Sequence, residues 1–288
     1  MSLNRKRRRA FSGLLFLFPG FLGITVFYLV PFADVVRRSF VQASGGRFCG
    51  IDNYKLVLNN AAFLLAAKNT ARFVLVCLPL LLVLSLLLAL LVNGLADKLK
   101  TAFKSAFLLP MAIPAASVVL LWRLLFDVHG FVNGIVHRLG GTPIDWMNTG
   151  AAFAVLVFSY IWKNLGYTLI LWLAGLASVP KEVYEAASID GAGAVRKFFR
   201  ITLPLIKPMI FTIVVLSLLN SFKVFREAYL VCGNYPHDSI YLLQHLFNNW
   251  FLSLSVDKMA AGSVMLTLVI AIFVGILALC WEKGEETA

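Results

Sequence analysis

Long apolar runs separated by short polar stretches rich in Lys and Arg set the rhythm of this chain. Ala10–Ala33 carries no Asp, Glu, Lys or Arg, and further runs almost free of charge cover about 73–95, 105–124, 150–173, 205–224 and 259–281. An α-helix rises about 1.5 Å per residue, so roughly 20 apolar residues cross the hydrocarbon of a bilayer. The pattern predicts an all-α polytopic membrane protein with six transmembrane helices. The first run follows Arg5, Lys6, Arg7, Arg8 and Arg9 and imitates a secretory signal in outline. It is too long for one, because a signal's apolar region spans about 7 to 15 residues, and it is read as a retained first helix.

Charge then assigns sides. Basic residues between transmembrane helices favour the cytoplasm, which places Arg5–Arg9 and the compact turn of Asp97, Lys98, Lys100 and Lys104 inside. The expected organisation is a basic N-terminus with the first helix over 1–33, an outer segment over 34–70, a membrane core over 71–281 and a cytoplasmic tail over 282–288. Both termini are then cytoplasmic. Pro110 and Pro114 interrupt the third run, which a helix tolerates when its neighbours satisfy the freed carbonyls, so this span is expected to be an inner one. Gly130, Gly134, Gly140, Gly141 and Pro143 punctuate an outer connection. Trp122, Trp146 and Trp281 fall near span ends, where interfacial aromatics gather.

Composition narrows the class. Of 288 residues, 60% are apolar and 14% charged, too few charges for a water-soluble domain of this size. The net charge of +12 flanks the apolar runs instead of covering one solvated face, so membrane lipid is an expected partner and nucleic acid is not. Cys49, Cys77, Cys232 and Cys280 show no paired spacing and form no ligand pattern with the four histidines, so no metal site is read. Cys49 and Cys232 both fall in outer segments, where a disulfide between them would be possible.

One charge sits where it is costly. Lys163 lies near the middle of the fourth run, where an ammonium facing lipid costs about 2.5–3.5 kcal/mol. No Asp or Glu falls inside any of the six expected spans, so its partner is sought in a loop, another subunit, a substrate or water. Tyr160, Lys163, Asn164 and Tyr167 share one helical stripe. Such a face suits a sugar, whose hydroxyls need donors and acceptors and whose C–H surface lies on aromatic rings. Packing against a second subunit and a displaced helix boundary are the other readings. Asn220 and Ser221, on the outer half of the fifth span, join the candidate pathway; helix–helix hydrogen bonding is their alternative. Lys207 and Lys223 lie near that span's ends and can snorkel. Lys223 and Glu227 are spaced to pair if the helix continues.

Val179–Pro208 carries the specific motif. Glu185-Ala186-Ala187, Asp190-Gly191-Ala192, Phe198, Ile201, Leu203-Pro204 and Pro208 resemble the EAA loop of permease subunits of binding-protein-dependent ABC importers. A helix from about Lys181 to Asp190, opened by Pro180 and closed by Gly191, would put Val183, Ala186 and Ala187 on one side. The text from Pro31 to Tyr54, with Ser39-Phe40, Phe48, Gly50 and Asn53-Tyr54, is similar to the carbohydrate branch, of maltose, lactose or glycerol-phosphate kind. Leu121–Phe126, the following FDVHGFVNGIVHRLG and Lys223–Val231 resemble it as well. Gly233-Asn234-Tyr235-Pro236 departs from the glycine run of many relatives.

The resemblance implies the type I ABC importer transmembrane domain and a bacterial or archaeal plasma membrane. It further implies a second homologous permease, two ATPase subunits, an extracytoplasmic solute-binding protein and a sugar substrate. Glu185, Ala186, Ala187, Asp190 and Gly191 would couple to the ATPase. The chain has no G-x-x-x-x-G-K-[ST] phosphate loop, so no cofactor is expected here and ATP with Mg would belong to the partner subunits. No catalytic constellation is present, which speaks against a membrane enzyme. A secondary transporter usually carries intramembrane carboxylates, and none is read. A glycerol phosphate ester or a modified peptide stays open as substrate, since Lys163 suits an anion.

Overall fold

The computed structural model describes residues 2–282, with side chains from Gly13 to Leu279 apart from Leu230 and Val231. The side chains of Arg5–Arg9 and Trp281, and the tail 283–288, lie outside the described residues. Among the described residues, six helical segments are long and apolar enough to cross a membrane: Gly13–Ser39, Ala61–Asn93, Ala115–Arg138, Ala152–Ala177, Lys207–Tyr229 and Val256–Leu279. The chain divides into two units, Met1–Asn60 with Asn249–Ala271, and Ala61–Asn248 with Ile272–Ala288.

In the first unit, α1 (Ser2–Ile24) runs through a π-helical turn (Thr25–Leu29) into α2 (Val30–Ser39). The wide turn ends just before Pro31, which lacks the N–H a regular helix would use there. Beyond it, the residues shared with the carbohydrate branch fold on one another. Asn53, at the start of α3 (Asp52–Leu58), donates from Nδ2 to the carbonyls of Ser39 and Val41 at 3.0 Å each. Ser39 Oγ meets Tyr54 Oη at 2.7 Å, and the Phe40 ring packs on Phe48 and Tyr54. Gly50 supplies a positive φ of 58° that lets the chain turn back. The pattern is therefore a self-supporting corner.

The second unit is built around α8 (Ala152–Ala177). α4 (Ala61–Asn93) is one long helix, so the expected second span begins within what was read as outer segment and includes Lys68 and Arg72. The Arg72 guanidinium sits 4.0 Å above the Phe153 ring, which makes its charge tolerable there. The third span is two helices, α5 (Asp97–Ala112) and α6 (Ala115–Phe126), separated at Ile113–Pro114, where both residues are extended. Pro110 stays inside α5; Pro114 is the breaker. Contrary to the reading of an inner helix, no residue of α5 is fully buried, whereas Val118, Val119 and Trp122 of α6 are.

After α7 (Phe131–Arg138), the outer connection is gathered by Asn133. Its Nδ2 donates to the carbonyls of Asp127, Val128 and Ile144, and its Oδ1 accepts from Ile144 N and Trp146 Nε1. Trp146 is thus held within the protein, and Trp122 is 4% exposed, so neither is free to act as a lipid-interface anchor.

Two apolar clusters pin α8. Phe73, Cys77 and Leu81 of α4 meet Phe153, Leu156 and Tyr160; further along, Ala89 and Val92 meet Leu169, Trp172 and Leu176. Between them, Trp172 Nε1 donates to Ser85 Oγ at 3.0 Å, satisfying both groups away from water. Gly166 lies against α5 so tightly that a Cβ would fall 1.9 Å from the Phe107 carbonyl oxygen. The outward surfaces stay apolar, with Leu75, Leu91 and Leu120 well exposed, as lipid contact requires.

The polar loop continues with α9 (Lys181–Ile189), α10 (Ala194–Lys197), a π turn (Phe198–Thr202) and α11 (Leu203–Leu205). A single non-helical residue, the buried Ile206, joins these to α12 (Lys207–Ser221). A 3-10 turn (Phe222–Val224) carries α12 into α13 (Phe225–Cys232), beyond the expected end of the fifth span. α14 (Leu243–Leu252) and α15 (Val256–Glu282) complete the chain. Cys49, Cys77 and Cys232 are free thiols.

Candidate functional site

A cavity of about 180 Å3 opens in the second unit between α6, α8 and the α12–α13 junction. Four of the sequence-derived pathway residues line it: Tyr160, Lys163, Asn164 and Asn220. Tyr167 and Ser221 do not. Ser221 is buried and returns its hydroxyl to the Leu218 carbonyl at 2.6 Å.

Lys163 finds its partner within the chain. Its Nζ donates to Oε1 of Glu227, and the two side chains are only 19% and 14% exposed. The pattern of apolar residues ends the fifth span at Val224 and leaves Glu227 in the outer segment that follows. Because α12 continues through the 3-10 turn into α13, the carboxylate is carried to the ammonium. The spacing-based pair of Lys223 with Glu227 is not formed; Lys223 donates instead to Asn220 Oδ1 at 2.7 Å. A half-buried ammonium is thereby neutralised, and the pair bridges two transmembrane elements. Around it, Asn164 Nδ2 is held by the Tyr160 carbonyl at 2.9 Å and Tyr160 Oη donates to the Ser217 carbonyl at 3.3 Å. Asn164 Oδ1 and Asn220 thus add polar groups to a wall that also contains aromatic faces.

Part of the lining was not assigned to the site from sequence. Arg226 stands on the same wall, and so does Trp122. Each sits beside an apolar run whose hydropathy hides it. Helical phase on α6 and α13, knowable only once their ends were fixed, would have found them.

On the polar loop, α9 ends in a Schellman turn. Gly191 N donates to Ser188 O at 3.1 Å and Ala192 N to Ala187 O at 2.9 Å, with Gly191 at φ 74°. Glu185, Ala186, Asp190 and Gly191 are exposed, while Ala187 is buried. Val183, Ala186 and Ala187 therefore do not form one outward side: Ala187 packs inward and Val183 and Ala186 face out. Tyr184 Oη meets Thr202 Oγ1 at 2.8 Å and Lys197 Nζ donates to Ser188 Oγ at 2.6 Å, so α9 is tied to the helix that leads into α12. Ile189, Val195 and Phe199 remain 88%, 71% and 61% exposed on this loop.

A chain with six helical segments long and apolar enough to cross a membrane among its described residues has known counterparts. Residues 73–281 match the family described as binding-protein-dependent transport system inner membrane component. The chain belongs to that family. It is 34% identical to the arabinooligosaccharides transport system permease protein of Bacillus subtilis (strain 168), over 94% of this chain and 89% of the relative. It is 30% identical to the trehalose/maltose transport system permease protein of Thermococcus litoralis, over 85% of each chain. The sulfoquinovosyl glycerol transport system permease protein of Agrobacterium fabrum is 30% identical, over 78% of this chain and 75% of its own length. A crystal structure of a bacterial ABC transporter that imports the acidic polysaccharide alginate has the same fold, with a TM-score of 0.82 at 22% identity over 98% of this chain and 99% of that one. As a family member the chain is a multi-pass permease component of an ABC importer.

Proposed function

We propose that this chain forms half of the membrane pathway of an ATP-driven importer and passes a carbohydrate delivered by an extracytoplasmic solute-binding protein. The observation that carries the reading is the charge-balanced Lys163–Glu227 pair in the cavity wall. A lone ammonium would select an anion, but Lys163 joined to Glu227 offers N–H donors and a carboxylate acceptor with no net charge. Asn164, Asn220 and the aromatic wall add the remaining chemistry a neutral polyol needs. The names of the arabinooligosaccharide and trehalose/maltose relatives support the same class.

A second reading, an anionic saccharide or glycerol phosphate ester, is favoured by Lys223 and Arg226. Both line the cavity, and Glu227 is the one carboxylate among the lining residues. The sulfoquinovosyl glycerol relative and an sn-glycerol-3-phosphate permease of Salmonella typhimurium, 34% identical over 54% of this chain, lean the same way.

The polar loop supplies the coupling. Glu185, Ala186, Asp190 and Gly191 are presented outward, with Ala187 fixing their helix from below, and an ATPase subunit would cover Ile189, Val195 and Phe199. ATP and Mg belong to two such subunits; a second, related permease completes the pathway. The loop and both termini are cytoplasmic, in a bacterial or archaeal plasma membrane.

The deciding experiment is purification of the tagged chain from its native membranes with mass spectrometry of what stays bound. An ATPase, a second six-span permease and a solute-binding protein are expected, and thermal-shift screening of that binding protein then separates neutral from anionic sugars. A chain recovered alone in mild detergent would count against the importer assembly.

A further inference from the structure

The indole of Trp122 is an unspent donor in the wall of the pathway. The residue is 4% exposed, and among the described residues its Nε1 has no hydrogen-bond partner. A buried Trp N–H normally finds one, and leaving it unmade costs about 1–3 kcal/mol. The ring is also held in place. Phe126, Phe158 and Trp162 pack around it with centroids 5.6, 5.7 and 5.4 Å away, the last two edge-on. The side chain borders the main cavity and a second, smaller hollow, and Ser159 and Glu227 border both as well. Ser159 Oγ spends its proton on the Val155 carbonyl at 2.6 Å, and Glu227 accepts from Lys163. The wall shared by the two hollows thus combines a hydroxyl acceptor and a carboxylate with an indole whose Nε1, sealed in this state, becomes available when the hollow beside it opens.

We infer that Trp122 contacts the transported molecule directly, its Nε1–H donating to one hydroxyl of a saccharide that has another hydroxyl within the reach of Glu227. An apolar ligand would leave the donor as it is. A saccharide satisfies it, and its hydroxyl protons suit the acceptors beside it. This rests on the carbohydrate reading and adds to it a specificity-determining residue on α6.

The test is a thermodynamic cycle between protein and sugar. Equilibrium binding of a panel of pentose and hexose disaccharides and their monodeoxy analogues is measured on the purified complex with its partner subunits, unsubstituted and with Trp122→Phe. The substitution should weaken the parent disaccharide roughly fivefold to tenfold, the worth of one hydrogen bond, and leave one particular deoxy analogue within about twofold. Equal weakening of every analogue, or of none, overturns the contact and leaves the carbohydrate reading standing. No saccharide bound by the unsubstituted complex overturns both. Should Trp122→Phe fail to assemble, the ultraviolet resonance Raman band sensitive to indole N–H hydrogen bonding decides on the unsubstituted complex. A shift on adding the disaccharide supports the contact, and an unchanged band overturns it.

Discussion

At the scale of residues, the Lys163–Glu227 pair makes the sharpest prediction. Removing one partner strands the other in a site that is mostly shielded, so Lys163→Met and Glu227→Leu should each lower the stability of the purified complex by about 2–4 kcal/mol, short of the fully buried limit. The double substitution should recover a good part of that loss, giving a coupling of about 1–3 kcal/mol in thermal unfolding; strictly additive losses would mean the pair is not formed. Lys163 was legible in the sequence as an expensive charge, yet Glu227 was not legible as its partner. Arg226 and Glu227 depress local hydropathy, which ends a span on paper while the backbone continues as helix. His245, on the segment between the last two spans, was silent in the sequence. It is fully buried, accepts from Leu242 N at 3.2 Å through Nδ1, and packs against Phe225 and Tyr241. Burial lowers its pKa from 6.5 to about 4, so the unfolded segment binds the proton more readily. Its contribution is intact above about pH 6.5 and is lost as pH falls toward 4, by up to about 3 kcal/mol. Hydrogen exchange of the α14 amides should accelerate over that window, and His245→Asn should flatten the response.

At the scale of elements, close approach and orientation decide the outcome. Gly166 has no room for a methyl group: the obstacle is the Phe107 backbone carbonyl, which cannot rotate away as a side chain could. Gly166→Ala should therefore force α5 from α8 at a cost of about 3 kcal/mol or more, seen as loss of chain from the membrane, whereas Gly134→Ala meets nothing within 4 Å and should be tolerated. Nothing in the sequence distinguishes these glycines, because the approach depends on which helix lies opposite. The Gly191 cap was legible, since a glycine after a short helix is a local signal. The inward turn of Ala187 was not, since Ala186 and Ala187 are chemically alike and only the packing under α9 separates them. On that arrangement Glu185→Lys, with its side chain exposed, should leave the assembly intact and uncouple ATP hydrolysis from uptake; transport at the unsubstituted rate would refute its coupling role. Ala187→Glu, by contrast, should destabilise α9 itself.

At the scale of the whole molecule, six crossings would place the two termini on the same side, and the basic flanks are expected to determine which side. Translocating Arg5–Arg9 or the cluster of Lys98, Lys100 and Lys104 is costly against the membrane potential and the anionic inner leaflet. The corner formed by Ser39, Phe40, Asn53 and Tyr54 would then lie outside, although Arg37, Arg38 and Arg47 stand near it. Those charges weaken a count made on sequence alone. Two of them are answered locally, because Arg37 and Arg38 both bind the Asp34 carboxylate. The prediction is directional. In a chain whose other cysteines are replaced, Cys49 should react with a membrane-impermeant maleimide in intact cells, while Ala192→Cys on the polar loop should react only after the cells are opened. The reverse pattern would invert the molecule. The coupling loop would then lie where no ATP is available.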